Sequence, residues 1–338
     1  MLSQRQILAA TSRAAEVLRD SGAKQRIEHG GYTRINPFLV AESAGVIVML
    51  RPMDKLLGAF VRQEQSGILL NSERPAGMIQ MTCAHELGHF FLDHGTTADD
   101  QLDYSPAAGR NELEADWFAY SLVAPRWAIA RIMRRKRWSA ADLAHPFVLY
   151  QLSLRLGISY KAAAWSLNRL NLLDRTSVDA VLKVQPAAIK KVLLQRPLEN
   201  AHRDVWLMDE ADRDLVLEPR VDDQMLVRLK NHSTAGYVWS TDEAAAEGFA
   251  IEPLLITPER QSDADPMIGG GDSTLDYLVT HVPDPNFTPA HLHLAERKPW
   301  SQSTPPIDSY STHTCHEQLQ PGLSPAAKES LLRSAGKS

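Results

Sequence analysis

The stretch CAHELGHFFLDHG, residues 83–95, sets His85 and His89 four positions apart with Glu86 directly after the first. On an α-helix, residues i and i+4 share a face, so both imidazoles can point at one metal ion. Glu86 lies about 100° around the helix from His85, placed to hold a water on that ion rather than the ion itself. Catalytic zinc needs a third protein ligand and an open position. NELEAD, residues 111–116, offers Glu112 and Asp116, and Glu112 is assigned as the carboxylate ligand. Asp116, one turn on, is placed to accept a hydrogen bond from the far nitrogen of a ligating histidine and fix its tautomer. The chemistry is hydrolysis. Zinc brings the pKa of its water towards about 7, and Glu86 takes the proton and returns it to the leaving amine. The oxyanion needs a second stabiliser; Tyr104 and His94 are both candidates, and the spacing selects neither. Glu114, with Asn111 as N-cap, fits a capping box, and Cys83 reads as a small core residue turned away from the metal.

These side chains need elements to carry them. A helix is predicted from Pro75 to about His94, then a polar loop, then a second helix over NELEADWFAYSLVA that Pro125 stops. Ahead of them stand an amphipathic helix, with Ile7, Leu8, Val17 and Leu18 on one side, and three short strands at 45–50, 58–63 and 67–71. Behind them comes a basic run, RWAIARIMRRKR (126–137), which can contact phosphates, form a solvated helix face or match an acidic partner. Residues 149–174 then have the spacing of a helix-turn-helix. As a DNA reader its second helix offers Lys161, Asn168 and Arg169; otherwise it packs on its neighbours or holds a protein substrate. After a connecting helical stretch (177–202), alternating strands with Gly and Pro punctuation predict a β-sandwich, and from Ser301 onward the composition predicts a disordered tail. The fold class expected is α+β.

AHELGHFFLDH followed by NELEADWFAYSLVAP resembles the ImmA/IrrE family of zinc metallopeptidases, over roughly residues 30–175. The resemblance implies a mainly helical, gluzincin-like domain with a small sheet, Zn2+ held by His85, His89 and Glu112, and Glu86 as base. Members of that family cleave repressor or antitoxin proteins in mobile-element, stress or defence settings, so a protein regulator is the implied substrate. Further on, NHSTAGYVWS (231–240), IGGGDSTLDY (268–277) and RKPW (297–300) follow the order of three loops in chagasin-type cysteine protease inhibitors. That second resemblance covers about 203–300 and implies an immunoglobulin-like sandwich. Its loop residues here are Asn231, Thr234, Gly236, Gly269, Gly270, Gly271, Lys298, Pro299 and Trp300. His232 stands where those inhibitors have proline, Ala235 is one residue extra, and Lys298 replaces arginine, so docking a substrate or regulating access fits the loops better than inhibition.

The domains expected are a zinc peptidase (1–126), a helix-turn-helix-like segment (127–176), a linker (177–202), a β-sandwich (203–300) and the tail (301–338). A net charge of −5 over 338 residues gives no electrostatic reason to expect a nucleic-acid binder, and two cysteines give no disulfide framework. The N-terminus lacks a signal-peptide core, and no stretch reaches the roughly 20 apolar residues of a membrane span. A cytoplasmic endopeptidase is the leading reading. The alternatives are an inhibitor or peptide-binding protein with a vestigial metal site, and a DNA-binding regulator.

Overall fold

A computed structural model describes all residues except 1, 96, 100–108, 255–273, 282–288, 302–303, 318 and 336–338. Helices and strands are mixed throughout, an α+β fold, and the chain divides into two compact units. One comprises Met1–Lys183 together with Gln318–Ser338, the other Val184–Glu317. No helix among the described residues is long and apolar enough to cross a membrane.

In the first unit a Ser3–Gln6 capping box starts α1 (Gln4–Asp20), which buries Ala10, Ala14, Val17 and Leu18. Leu8, expected on that side, is 65% exposed, because it lies about 180° around the helix from Val17. There follow α2 (Ala23–Glu28) and α3 (Pro37–Ser43), the latter capped by Asn36. The predicted strands are β1 (Ile47–Arg51), β2 (Gly58–Val61) and β3 (Gly67–Asn71), with β1 parallel and β2 antiparallel to β3. Next come α4 (Ala76–Phe91), β4 (Thr97–Asp99) on the far side of β2, and α5 (Arg110–Val123). Then α6 (Arg126–Lys136), α7 (Pro146–Leu156), α8 (Tyr160–Arg169) and α9 (Arg175–Val181) complete this part.

Helix α4 is buried at every position from Ile79 to His89, so it is a core helix rather than an amphipathic surface one. Two glycines let its neighbours come close. A Cβ on Gly88 would stand 2.9 Å from the Cα and the carbonyl oxygen of Ala115, so α4 and α5 touch backbone to backbone there. A Cβ on Gly77 would stand 2.5 Å from the amide nitrogen of Ser159. Ser159 caps α8, so the α7–α8 turn packs on the start of α4. The predicted helix-turn-helix spacing is therefore two helices joined at Gly157, whose φ of +69° ends α7, and their turn is committed to packing.

The second unit opens with α10 (Pro186–Leu194), which carries the buried Lys190 to Asp204 Oδ1 at 2.8 Å. Its strands are β5 (Val205–Met208), β6 (Val216–Leu217), β7 (Gln224–Lys230) and β8 (Val238–Ser240). After the short α11 (Asp242–Ala246) come β9 (Phe249–Leu254), β10 (Thr274–His281), β11 (Ala290–Arg297) and β12 (Asp308–Thr314). They form two four-stranded sheets, ordered β5-β7-β10-β9 and β6-β12-β11-β8. Pro253 sits in β9, which ends its sheet, the place where a strand tolerates a residue without an N–H. The expected linker is thus two helices, one in each unit.

The expected disordered tail is not one. Residues 308–314 are β12, paired along its length with β11. Its inward residues are Tyr310, Thr312 and Thr314, and Thr312 Oγ1 donates to Leu215 O at 3.0 Å. Those threonines read as polar in sequence but are β-branched, and the hydroxyl of Thr312 is satisfied when buried. Beyond it, β13 (Gly322–Leu323) pairs with β1, and α12 (Pro325–Ala335) buries Ala326 and Ala327 in the first unit.

Gly88→Ala gains about 1 kcal/mol of helix propensity but drives a methyl into backbone, and overpacking of that kind costs roughly 1–3 kcal/mol. Urea unfolding should show a net loss of stability. A second prediction concerns the β unit, where His281 Nδ1 lies 3.0 Å from His316 Nε2 with the rings stacked. Burial lowers both pKa values, and His281 lowers that of His316 further. The unfolded chain binds protons on these rings below about pH 6.5 while the folded unit resists, so stability falls as pH drops below that value. The loss in melting temperature between pH 7 and pH 5 should shrink in His316→Gln.

Candidate metal centre

Helix α4 and the first two turns of α5 bring three donors together. His85 Nε2 stands 3.1 Å from His89 Nε2 and 3.1 Å from Glu112 Oε2, and His89 Nε2 stands 3.5 Å from Glu112 Oε1. Tetrahedral ligands at zinc–nitrogen distances near 2.05 Å lie about 3.3 Å apart, so this set fits a single ion. His85 and His89 are buried and Glu112 is partly so. The imidazoles of His85 and His89 at its side hold the Glu112 carboxyl well below the usual carboxylate range. It is therefore anionic, as a ligand must be.

The far nitrogens of both imidazoles are fixed. Asp116 Oδ1 lies 3.0 Å from His85 Nδ1; a carboxylate accepts, so the proton sits on Nδ1 and Nε2 keeps its lone pair. Behind His89 the partner is His94, whose Nδ1 lies 3.1 Å from His89 Nδ1. The Nε2 of His94 faces Glu114 Oε2 at 3.5 Å. Burial, and then His89, lower the His94 pKa, which keeps its ring neutral. With its proton on Nε2 towards Glu114, His94 accepts from His89 and leaves the His89 Nε2 lone pair free for a metal.

Residues 41–168 match the family of IrrE N-terminal-like domains, peptidase family M78. That span holds α4, α5 and all three donors. No curated protein matches the chain. Among solved structures, the crystal structure of the cysteine protease inhibitor EhICP2 from Entamoeba histolytica is similar at 15% identity and a TM-score of 0.26, covering 34% of this chain and 98% of that one. The solution structure of Amebosin is similar at 15% identity and a TM-score of 0.24, with the same 34% and 98% covered.

In the IrrE-like domain, Glu86 is fully buried on the side of α4 that faces β2. A Cβ on Gly58 would stand 2.8 Å from Glu86 Oε1, so this strand glycine leaves the carboxylate its space. Cys83 is buried as expected, and burial pushes its thiol pKa far up. Two expectations are corrected. His94 stands behind His89 instead of beside the third donor, so it is no oxyanion stabiliser. The reason is that α4 ends at Phe91, and Asp93 at φ 64° turns the chain back. Arg62 holds that turn by donating to the carbonyls of Phe90 and His94 at 2.8 and 3.1 Å. Nor does Glu114 form a capping box with Asn111. The N-cap is Gly109, and Glu114 accepts instead from Gln6 and Arg110 at 2.8 and 2.9 Å. Tyr104 lies outside the described residues.

Of the DNA-reading candidates, Lys161 is exposed, but Asn168 donates to Leu173 O at 3.0 Å and the Arg169 guanidinium lies over Tyr120, 4.0 Å from the ring centroid. Arg134, Arg135 and Arg137 of the basic run are exposed. In the β unit the first and third loops adjoin. His232 Nδ1 lies 2.7 Å from the buried Glu296, the Lys298 ammonium stands over Tyr237, and Trp300, 73% exposed, covers Gly236. Asn231 accepts from the Ser233 amide; Thr234 and Pro299 are exposed. Gly269, Gly270 and Gly271 lie outside the described residues. Gly58, the His94–Glu114 pair and Arg169 are the parts of the site that the sequence did not reveal, since each meets it across the fold.

Asp116→Asn can still bond His85 but as a neutral group, and removing such a support costs about 10- to 100-fold in metal affinity. Competition with a chromogenic zinc chelator should read that loss with the melting temperature of the metal-free protein little changed.

Proposed function

We propose that the chain is a zinc-dependent endopeptidase of gluzincin type acting in the cytoplasm on a protein regulator of the repressor or antitoxin kind. The observation that carries this is the convergence of two imidazole nitrogens and one carboxylate beside a fully buried glutamate. His85, His89 and Glu112 would hold the ion. Zinc, when bound, supplies a Lewis acid and a water acidified towards about pKa 7. Glu86 takes the proton of the attacking water on its carboxylate and returns it to the leaving nitrogen of the peptide. Asp116 and His94 keep the two imidazoles in the tautomer that presents Nε2. The family match over 41–168 supports the peptidase class, and the resemblance of the same motifs to ImmA/IrrE proteins supports a regulator as substrate.

In this reading the β unit is an immunoglobulin-like sandwich whose chagasin-like loops dock substrate or regulate access. The exposed Trp300 beside Gly236 and the Lys298–Tyr237 pair give those loops an aromatic and cationic grip for peptide. Two free cysteines agree with a reducing compartment.

The test is co-expression with candidate regulators, alongside metal analysis of the purified chain. Wild type and Glu86→Gln should each carry close to one zinc. The full-length regulator should disappear with wild type and persist with Glu86→Gln, whose cleavage rate falls by about 10²-fold or more. Equal cleavage by the variant would remove Glu86 from the mechanism. A wild-type chain that holds no zinc would move the reading to a binding protein.

A further inference from the structure

We propose that the first unit carries a second binding site, for a small aromatic carboxylate, whose occupancy is felt at the metal centre through Arg169. Helices α1, α5, α6 and α8 line a half-open cavity of about 330 Å³, at the lower end of the roughly 300–1,000 Å³ that small-molecule sites occupy. Trp117, Tyr120 and Trp127 line it, walls suited to a flat ring. Its charged lining residues are Arg126 and Arg169, with no carboxylate among the residues that line it. Apolar walls with cationic donors and no anion select an anionic ligand with an aromatic body, one or two rings in size.

Arg169 is built for that anion. Its guanidinium is held over the rings of Tyr120 and Trp117, at 4.0 and 4.7 Å from their centroids. Its Nη1 is buried and, among the described residues, has no hydrogen-bond partner. A planar guanidinium pinned by two rings with an unspent N–H is prepared for a carboxylate. On the other side Arg169 Nη2 lies 4.0 Å from Asp116 Oδ2, and Asp116 Oδ1 holds His85 Nδ1. A carboxylate in the cavity competes with Asp116 for this cation. It thereby changes the charge behind His85, and the metal and the ligand then alter each other's affinity by the same factor. The binding site stands on the cavity alone; its effect on metal rests on the zinc reading above.

Calorimetry of the full chain with indole-3-acetate and with tryptamine, in metal-free and zinc-loaded forms, tests the site. Indole-3-acetate should bind saturably at one per chain, and tryptamine at least about tenfold more weakly, the scale of one charged hydrogen bond. Arg169→Gln should lose a similar factor. Ala15→Phe, a change at an exposed α1 position that lines the cavity, should abolish binding with an unchanged melting temperature. No saturable binding of indole-3-acetate, or equal binding of both probes to wild type and Arg169→Gln, would overturn the site. For the link, zinc release to a chelator should change on adding indole-3-acetate to wild type and stay constant in Ala15→Phe; release that is the same with and without the probe overturns the link. A wild type without zinc would count against the zinc reading while the metal-free titration still decides the cavity.

Discussion

The first unit depends on the backbone contact between α4 and α5 at Gly88 and Ala115. With any side chain at 88 the helices stand further apart, and Glu112, three residues before Ala115, moves away from the two imidazoles. At the observed distance its carboxylate reaches both Nε2 atoms. A glycine in mid-helix gives up helix propensity; here that loss is traded for a gap narrow enough to assemble three donors.

Burying so many polar groups is costly unless each is paired or destined for a metal. The fold answers with two relays of different make. One is a carboxylate in the same helix as the third donor, Asp116. The other arises because α4 stops at Phe91, about three residues early, and Arg62 clamps the reversing turn, which swings His94 onto His89. The α7–α8 pair takes part as well: its turn seats on Gly77, and α8 delivers Arg169 to the rings of α5. A pattern with helix-turn-helix spacing is therefore spent on building the domain.

The β unit solves its own problem by different means. Its strand β12 fills the interior side with Tyr310 and threonines, and its edge strand carries a proline. Neither shows the apolar alternation that marks a strand in sequence. In the loops that resemble protease-inhibitor loops, Trp300 covers Gly236, and His232, which stands in place of proline, bonds the carboxylate of Glu296 on β11, so a side-chain hydrogen bond fixes the first loop instead of ring geometry.

What the sequence determined by itself is local and periodic. Spacing of four put His85 and His89 on one face, the same spacing paired Glu112 with Asp116, and turn residues marked β1, β2 and β3. The domain-scale α+β division also followed from the change of texture near residue 200. Tertiary structure decided the rest, because it concerns groups that meet across the chain. Which nitrogen of each imidazole turns towards Glu112 was set by Asp116 and by a turn that overrode the helical pattern. That Gly58 makes room for Glu86, and that Arg169 backs Asp116, follow from contacts between elements far apart in sequence. The order beyond Ser301 came from pairing with β11 and β1, since a strand's hydrogen bonds are supplied by its neighbour and leave no trace in its own composition.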